Sequence, residues 1–424
     1  MTLRILALVI LITALPAWAD LEITVVGGDL APLPIAIVPF TQTPEVQVDI
    51  AKVIDADLTR SGRFKVLARS DMLERPSAPA QINAGTWKAM GMDNLVIGQV
   101  ARTETGGYYV RFFLFDTMSG QNGTQILGFD IPARSLDQMR YVAHQIADLI
   151  YEKLLGVPGY FNKKFAYIAA SGLGAARNFQ LIVADSDGEN PHIVAASREP
   201  LMSPAWSPDR QQLAYVGYER GRSAIYIQNI ATGAVRKLIS ERGINGSPAW
   251  SPDGTRMAIT LSFETNPDIY VIDIASGARR RLTDHYGIDT EPSWSPDGSK
   301  LVFTSDRGGQ PQIYEVDAAG GDARRLTFEG KQNLRASYSP DAKSIVMVNS
   351  DGGSYRIAML TLAGGNMRIL SDGPLDEGPH FAPGGSIIIY ATQAAHSAEL
   401  ATVSVDGRVR TRLRQAGDVR EPAW

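Results

Sequence analysis

The sequence predicts an α/β N-terminal domain plus an all-β six-bladed propeller closed by the C-terminal strand. Three observations carry this. Helical and strand periods alternate up to about residue 158, and only strand periods follow. An aromatic residue recurs at Trp206, Trp250, Trp294, Tyr338, Phe381 and Trp424, at spacings of 44, 44, 44, 43 and 43 residues. A fixed period of this size with only strands inside it reads as propeller blades. The first set of strands lacks the leading "PAW" strand, and the final "REPAW" (Arg420–Trp424) has no strands after it, so the two fragments complete one blade.

Residues 1–19 read as a secretion signal. Arg4 supplies the charged start, Ile5–Leu15 the apolar run, and Ala17–Ala19 the small residues at a cleavage site. The mature chain is expected to begin at Asp20. No cysteine is present, which excludes disulfides, thiol catalysis and a lipid-modified cysteine. Asp20, Leu21, Glu22, Ile23, Thr24, Val25 and Val26 alternate like a short strand, and Gly27–Pro34 reads as a hinge, so residues 20–34 form a candidate tether.

The α/β domain spans residues 20–158. Leu33–Phe40 is a buried-strand run. Thr43 then caps a helix with Pro44 at its first position, Val46, Ile50, Val53, Ile54 and Leu58 on one face, and Gly62 at its end. Strands are expected at Phe64–Arg69, Asn94–Arg102 and Tyr108–Asp116. Ser135–Gln138 is a capping-box sequence ahead of a helix that buries Leu136, Met139, Ala143, Ile146, Ile150 and Leu154. Gly156–Tyr160 stops it and forms the linker.

The propeller spans residues 159–424. Each unit opens with the "PAW" strand. A turn follows, clearest at Ser251–Gly254 and Ser295–Gly298, where Ser, Pro and Gly suit positions i, i+1 and i+3 of a type I turn. An apolar strand such as Leu301–Ser305 comes next, then a hairpin such as Ile225–Ile230 with Val235–Ile239. Strand sets of this kind occur six times, starting from Phe165–Ala170. The C-terminal strand leaves no sheet edge at the seam.

A net charge of −4 shows no electrostatic footprint for nucleic acid. Catalytic patterns are missing as well. Gly221-Arg222-Ser223 and Gly384-Gly385-Ser386 lack the closing Gly of a nucleophile elbow. The histidines at 144, 192, 285, 380 and 396 form no metal-binding pair. Gly172–Arg177 is a hairpin loop, not a dinucleotide fingerprint, and Asp185–Gly188 a tight turn, not a calcium loop. No cofactor or metal is expected, although Asp289, Glu291 and Glu377 together could hold a cation.

Binding has a better basis. The loops leading into each inner strand line one mouth of a propeller channel. They carry Leu201 and Met202, Asn245 and Gly246, Asp289 and Thr290, Asn333 and Leu334, Asp376 and Glu377, and Arg420. These residues differ between blades while the strands repeat, which suits an asymmetric protein partner. The competing reading is a propeller that binds or hydrolyses a small peptide or sugar.

"WSPDG" (Trp294–Gly298) followed by "FTSDRGGQPQIY" (Phe303–Tyr314) is similar to the repeat of the TolB-type propellers. "PLMSPAWSPD" (Pro200–Asp209), "GRSAIYIQ" (Gly221–Gln228), "TEPSWSPDG" (Thr290–Gly298) and "LDEGPHFAPGG" (Leu375–Gly385), together with the layout, resemble the TolB family of the Tol-Pal system over the whole mature chain. That resemblance implies a non-enzymatic periplasmic adaptor, and a closed ring, which has no need to oligomerise, is expected to be a monomer. It implies that the lipoprotein Pal binds at the propeller mouth, over the eleven loop residues above, and that TolA engages Asp20–Val26. It further implies roles in outer-membrane integrity and in envelope constriction during division. Some relatives carry a polar or ring-bearing residue where Ile244 stands, so the contact at that blade is expected to be more apolar.

Overall fold

A computed structural model describes residues 22–25 and 31–424, apart from 105, 121, 265, 395, 396 and 414. The signal segment, and Asp20, Leu21 and Val26 of the tether, lie outside the described residues, as does His396.

The N-terminal domain is built on a five-stranded mixed sheet. Its order is Phe64–Val66, Leu33–Ile37, Asn94–Arg102, Tyr108–Asp116 and Thr124–Ala133. The first three strands run parallel and the rest antiparallel. Leu33–Ile37 is apolar on both sides because both of its faces are covered. Ile35 and Ile37 pack under helices α1 (Ile50–Arg60) and α3 (Met139–Leu155), while Ala36 and Val38 meet Trp87 of the short helix α2 (Ala84–Ala89) on the other face. The last strand and α2 were not legible as periodic runs.

Helix α1 starts six residues later than the Thr43 cap predicts. Residues 43–46 close a turn through Val46 N–H to the Thr43 carbonyl, 3.0 Å. The working cap is Asp49, whose carboxylate accepts from Lys52 N–H at 2.9 Å and also pairs with Arg69 at 2.6 Å. Helix α3 ends on the left-handed Gly156 (φ 72°), as a C-terminal glycine should. The capping-box sequence instead forms a short 3₁₀ turn, with Gln138 accepting from Arg134 N–H and Ser135 making no cap bond.

Six four-stranded antiparallel blades follow. Blades two to five are contiguous in sequence, from the inner strands Met202–Trp206, Asn245–Trp250, Asp289–Trp294 and Gln332–Tyr338 outward. Blade six runs outward from Asp376–Phe381. In blade one the inner strand is Asp418–Ala423, paired with Lys164–Ser171 in the register Asp418 to Ala170 and Ala423 to Ala166. Trp424 packs edge-on to Phe165, with ring centroids 6.1 Å apart, and to Tyr160 of the linker at 5.7 Å.

The repeated aromatics also tie blades together. The indole N–H of Trp250 donates to the Ala205 carbonyl of the preceding blade, and that of Trp294 to Ala249, both at 3.1 Å. The Ser-Pro-Asp-Gly turns hold as predicted: Gly254 and Gly298 have φ of 71° and 72°, and the Asp carboxylate accepts from the Ser hydroxyl. Blades two and five put Arg210 and Ala342 at that left-handed position instead, at φ 63° and 57°.

Antiparallel blades sort their connections onto two faces. The loops into the inner strands and the hairpins between second and third strands lie on one face. The Ser-Pro turns and the turns between third and fourth strands lie on the other. The N-terminal domain sits on that second face. Ala382 and Ile387, flanking the blade-six turn, belong to its core, and Ser186 of blade one donates to the Phe161 carbonyl at 2.7 Å.

An ion network is sealed into this junction. Arg60 pairs with Asp57 at 2.8 Å, and His144 Nδ1 meets the other Asp57 oxygen at 2.6 Å. From the propeller, Asp187 approaches Arg60 at 3.9 Å and His144 Nε2 at 3.8 Å, and it pairs with Arg140. Asp57, Arg60 and His144 are buried. Asp57, His144 and Asp187 stand close enough together to bind a metal ion. However, two guanidinium groups already neutralise the carboxylates that a cation would need, so we read the cluster as an interdomain ion network. The tight turn at Asp185–Gly188 therefore carries the propeller's half of the junction.

Candidate partner-binding site

The mouth away from the N-terminal domain is built by one device used six times. Each inner strand slips register midway, between Met202 and Ala205, Gly246 and Ala249, Thr290 and Ser293, Leu334 and Ser337, Glu377 and His380, and Arg420 and Ala423. The residue at each slip is left-handed: Ser203, Ser247, Glu291, Arg335, Gly378 and Glu421 have φ between 49° and 61°. Five of the six are not glycine, a costly conformation that persists only where the surrounding structure imposes it. These six residues line the central channel, a space of about 860 Å³.

The channel is crossed by charge. Arg335 Nε lies 3.2 Å from Glu291, and Nη2 lies 3.4 Å from Glu421. Glu291 also accepts from the Thr304 hydroxyl at 2.8 Å and from Arg335 N–H at 3.0 Å, while Glu421 accepts from Ser203 N–H. Burial works against the Arg335 charge, but Glu421, Glu291 and Glu377 outweigh it and raise its pKa above the ordinary arginine value. Beside it, burial and then the Arg335 charge push His380 down to about 4, so it is neutral at pH 7. The cation that Glu291 could have attracted is supplied by the chain's own Arg335.

The predicted loop pairs divide in two. Leu201, Asn245, Asp289, Asn333 and Asp376 are buried inside the blades. Asn245 bonds Ser223 and the Glu241 carbonyl, Asp289 pairs with Arg307 at 2.7 Å, Asn333 bonds Gln312 and the Glu329 carbonyl, and Asp376 accepts from Ser371, Thr392 and Gly373 N–H. Their expected place on the rim is corrected. Alternation along a strand sends adjacent side chains to opposite sides, so both members of a pair cannot face the mouth. The other members, Met202, Gly246, Thr290, Leu334, Glu377 and Arg420, are exposed or half-buried at the mouth end. Asp289 is thereby separated from Glu291 and Glu377 as a cation ligand.

Sequence reading passed over the left-handed ring. Its signal was available: in five of the six it is the residue directly before the repeated Pro, at 203, 247, 291, 378 and 421. The loops add exposed apolar groups around the rim, namely Ile244, Tyr286, Ile288, Phe328 and Leu375. A hollow beside the channel is lined by Leu334, Val348, Tyr355, Leu375 and Glu377. Glu22–Val25 forms a fifth strand on the outer edge of blade six, antiparallel to Val409–Leu413, with Glu22 opposite Arg412 and Val25 opposite Val409.

A two-domain propeller with a charge-crossed channel and an uneven open mouth is the class that this fold and site define. Residues 151–424 match the family model described as the TolB beta propeller domain, and residues 21–123 match the TolB amino-terminal domain. The chain is 58% identical to the Tol-Pal system protein TolB of Methylococcus capsulatus, over 99% of this chain and 98% of that protein. It is 48% identical to the same protein of Xanthomonas euvesicatoria pv. vesicatoria, over 99% and 96%. The crystal structure of TolB from Acinetobacter baumannii superposes with a TM-score of 0.86 at 39% identity, covering 95% of this chain and 98% of that one. The chain belongs to the TolB family of Tol-Pal system proteins. Among the described residues, no helix is long and apolar enough to cross a membrane.

Proposed function

We propose that the protein is a non-enzymatic periplasmic adaptor that binds Pal at the open mouth of the propeller and TolA through the mature N-terminus. In this reading it serves outer-membrane integrity and envelope invagination during cell division. The observation that carries the reading is the unevenness of the mouth. Six equivalent positions bear Met202, Gly246, Thr290, Leu334, Glu377 and Arg420 on strands that otherwise repeat. An asymmetric protein surface can be read by such a rim. The charged side chains below it are held in ion pairs with one another, an arrangement that favours docking over turnover of a peptide or sugar. For TolA, the support is the strand Glu22–Val25. It is held at a sheet edge by main-chain pairing, and such a strand can exchange to the edge of another protein's sheet.

The test uses purified full-length mature protein with Pal and with TolA. Met202→Arg and Leu334→Arg are expected to weaken Pal binding at least tenfold and to leave TolA binding in place. Deleting Asp20–Val26 is expected to abolish TolA binding while Pal still binds. Pal binding that survives both rim substitutions, or TolA binding that survives the deletion, overturns the corresponding half of the proposal.

A further inference from the structure

A second cleft, of about 870 Å³, opens on the flank of the propeller between blades five and six. Its walls are the loop Asp372–Pro374 and the blade-six residues Tyr390, Thr392, Arg410 and Arg412. The next residues of the same loop, Leu375 to Glu377, line the hollow at the mouth, so this loop separates the two spaces. Strand register places Tyr390 opposite Ala401, Ala401 opposite Arg412, and Val403 opposite Arg410. Paired and alternate residues share a sheet face, so Tyr390, Arg410 and Arg412 all point into the cleft.

Tyr390 is 5% exposed and forms part of the cleft wall. Arg410 Nε is buried there and has no acceptor among the described residues. A buried donor left unpaired is costly, and native proteins leave few of them. Arg410 Nη1 pairs with Asp372 at 2.5 Å, but that carboxylate is 81% exposed on the loop. Such a pair contributes little, so its acid is readily replaced. Arg412 is half exposed, with Glu399 no nearer than 3.8 Å. Asp376, beside the cleft, opposes an incoming anion, but its oxygens are already engaged by Ser371, Thr392 and Gly373. Two guanidinium forks and a phenol suit the planar, multidentate recognition of an oxyanion.

We propose that this cleft binds a small molecule through a carboxylate or phosphate group, which replaces Asp372 on Arg410 and accepts from the Tyr390 hydroxyl. The site borders the tether strand, whose backbone pairs Thr24 with Arg410 and Glu22 with Arg412, but it does not rest on the partner assignments above.

Titration calorimetry of the full mature chain at constant ionic strength tests it, with inorganic phosphate and glucuronate as probes. Saturable binding is expected for at least one, with a Kd on the order of 1 mM. Saturation by phosphate alone assigns the site to phosphate groups, and saturation by glucuronate alone to carboxylates. Removing the competing acid in Asp372→Asn should tighten binding about threefold to tenfold. Arg410→Gln should weaken it at least tenfold and Tyr390→Phe about fivefold, with unchanged melting temperatures showing that the variants are folded. Binding that is the same in Arg410→Gln as in the parent, or no saturation by either probe in Asp372→Asn, overturns the proposal.

Discussion

His380 and Asp148 show how burial, as the largest cause in each, can set opposite responses to acid within one chain. His380 sits against the Arg335 guanidinium in the channel, with its pKa pushed down to about 4. The unfolded chain therefore binds a proton between about pH 6.5 and 4 that the folded chain refuses. Stability contributed by neutral His380 is present above pH 6.5 and lost as the pH falls through that window. Asp148 is pushed up to about 6 by burial, despite accepting from Phe161 N–H at 2.7 Å and Asn162 N–H at 3.1 Å. Its contribution has the other sign, present below pH 4 and lost as the pH rises to 6. Urea unfolding between pH 4 and 7 is expected to show a shallower fall toward acid in His380→Gln than in the parent. An unchanged slope would place His380 in water.

Strand Asp418–Ala423 does for blade one what a contiguous inner strand does for each of blades two to six, although it arrives from the far end of the chain. It pairs with Lys164–Ser171 and carries Glu421 into the channel, where Arg335 of blade five meets it. The closure is therefore held twice, along the blade by main-chain bonds and across the channel by charge. Trp424 anchors the end of this strand between Phe165 and Tyr160. Trp424→Ala should cost about 3–5 kcal/mol, near the usual cost of deleting a packed large aromatic. The loss should appear in denaturant unfolding and as faster amide exchange in Phe165–Ala170 than in blade three. Uniform exchange would show that the seam is no weaker than the other blades.

Between the two domains, the network of Asp57, Arg60, Arg140 and His144 is met from the propeller chiefly by Asp187, with Asp185 reaching only Arg140, at 3.7 Å. Burial works against the Asp187 charge, but Arg60 and the other basic side chains beside it, with a hydrogen bond accepted from Glu189 N–H, outweigh it and keep its pKa below the ordinary carboxylate value. Asp187→Ala leaves buried positive charge uncompensated, a change that typically costs about 3–5 kcal/mol. Calorimetry is expected to resolve a separate, earlier transition for the N-terminal domain in this variant. A single transition at the parent temperature would show that apolar packing around Phe161 and Ile387 suffices to join the domains.

Much of this architecture was written in periodicity. The recurrence from Trp206 to Trp424 required stacked identical units, and the divided first blade required closure by the C-terminal strand, because a unit of this kind cannot bury its sheet alone. The two long strands at Asn94–Arg102 and Tyr108–Asp116 were legible from their apolar runs. The start of α1 was not, since Thr43-Pro44 and Asp49 are both competent caps and tertiary contacts such as the Arg69 pair chose between them. The site divided in the same way. Variation among the loop residues marked the mouth, but a one-dimensional pattern does not say which of two neighbours faces it. That was decided by the register slip in each inner strand, which buries Asn245, Asp289, Asn333 and Asp376 and turns Glu291, Arg335 and Glu421 into the channel. Charges 44 or more residues apart in sequence become partners there only because the ring closes around them.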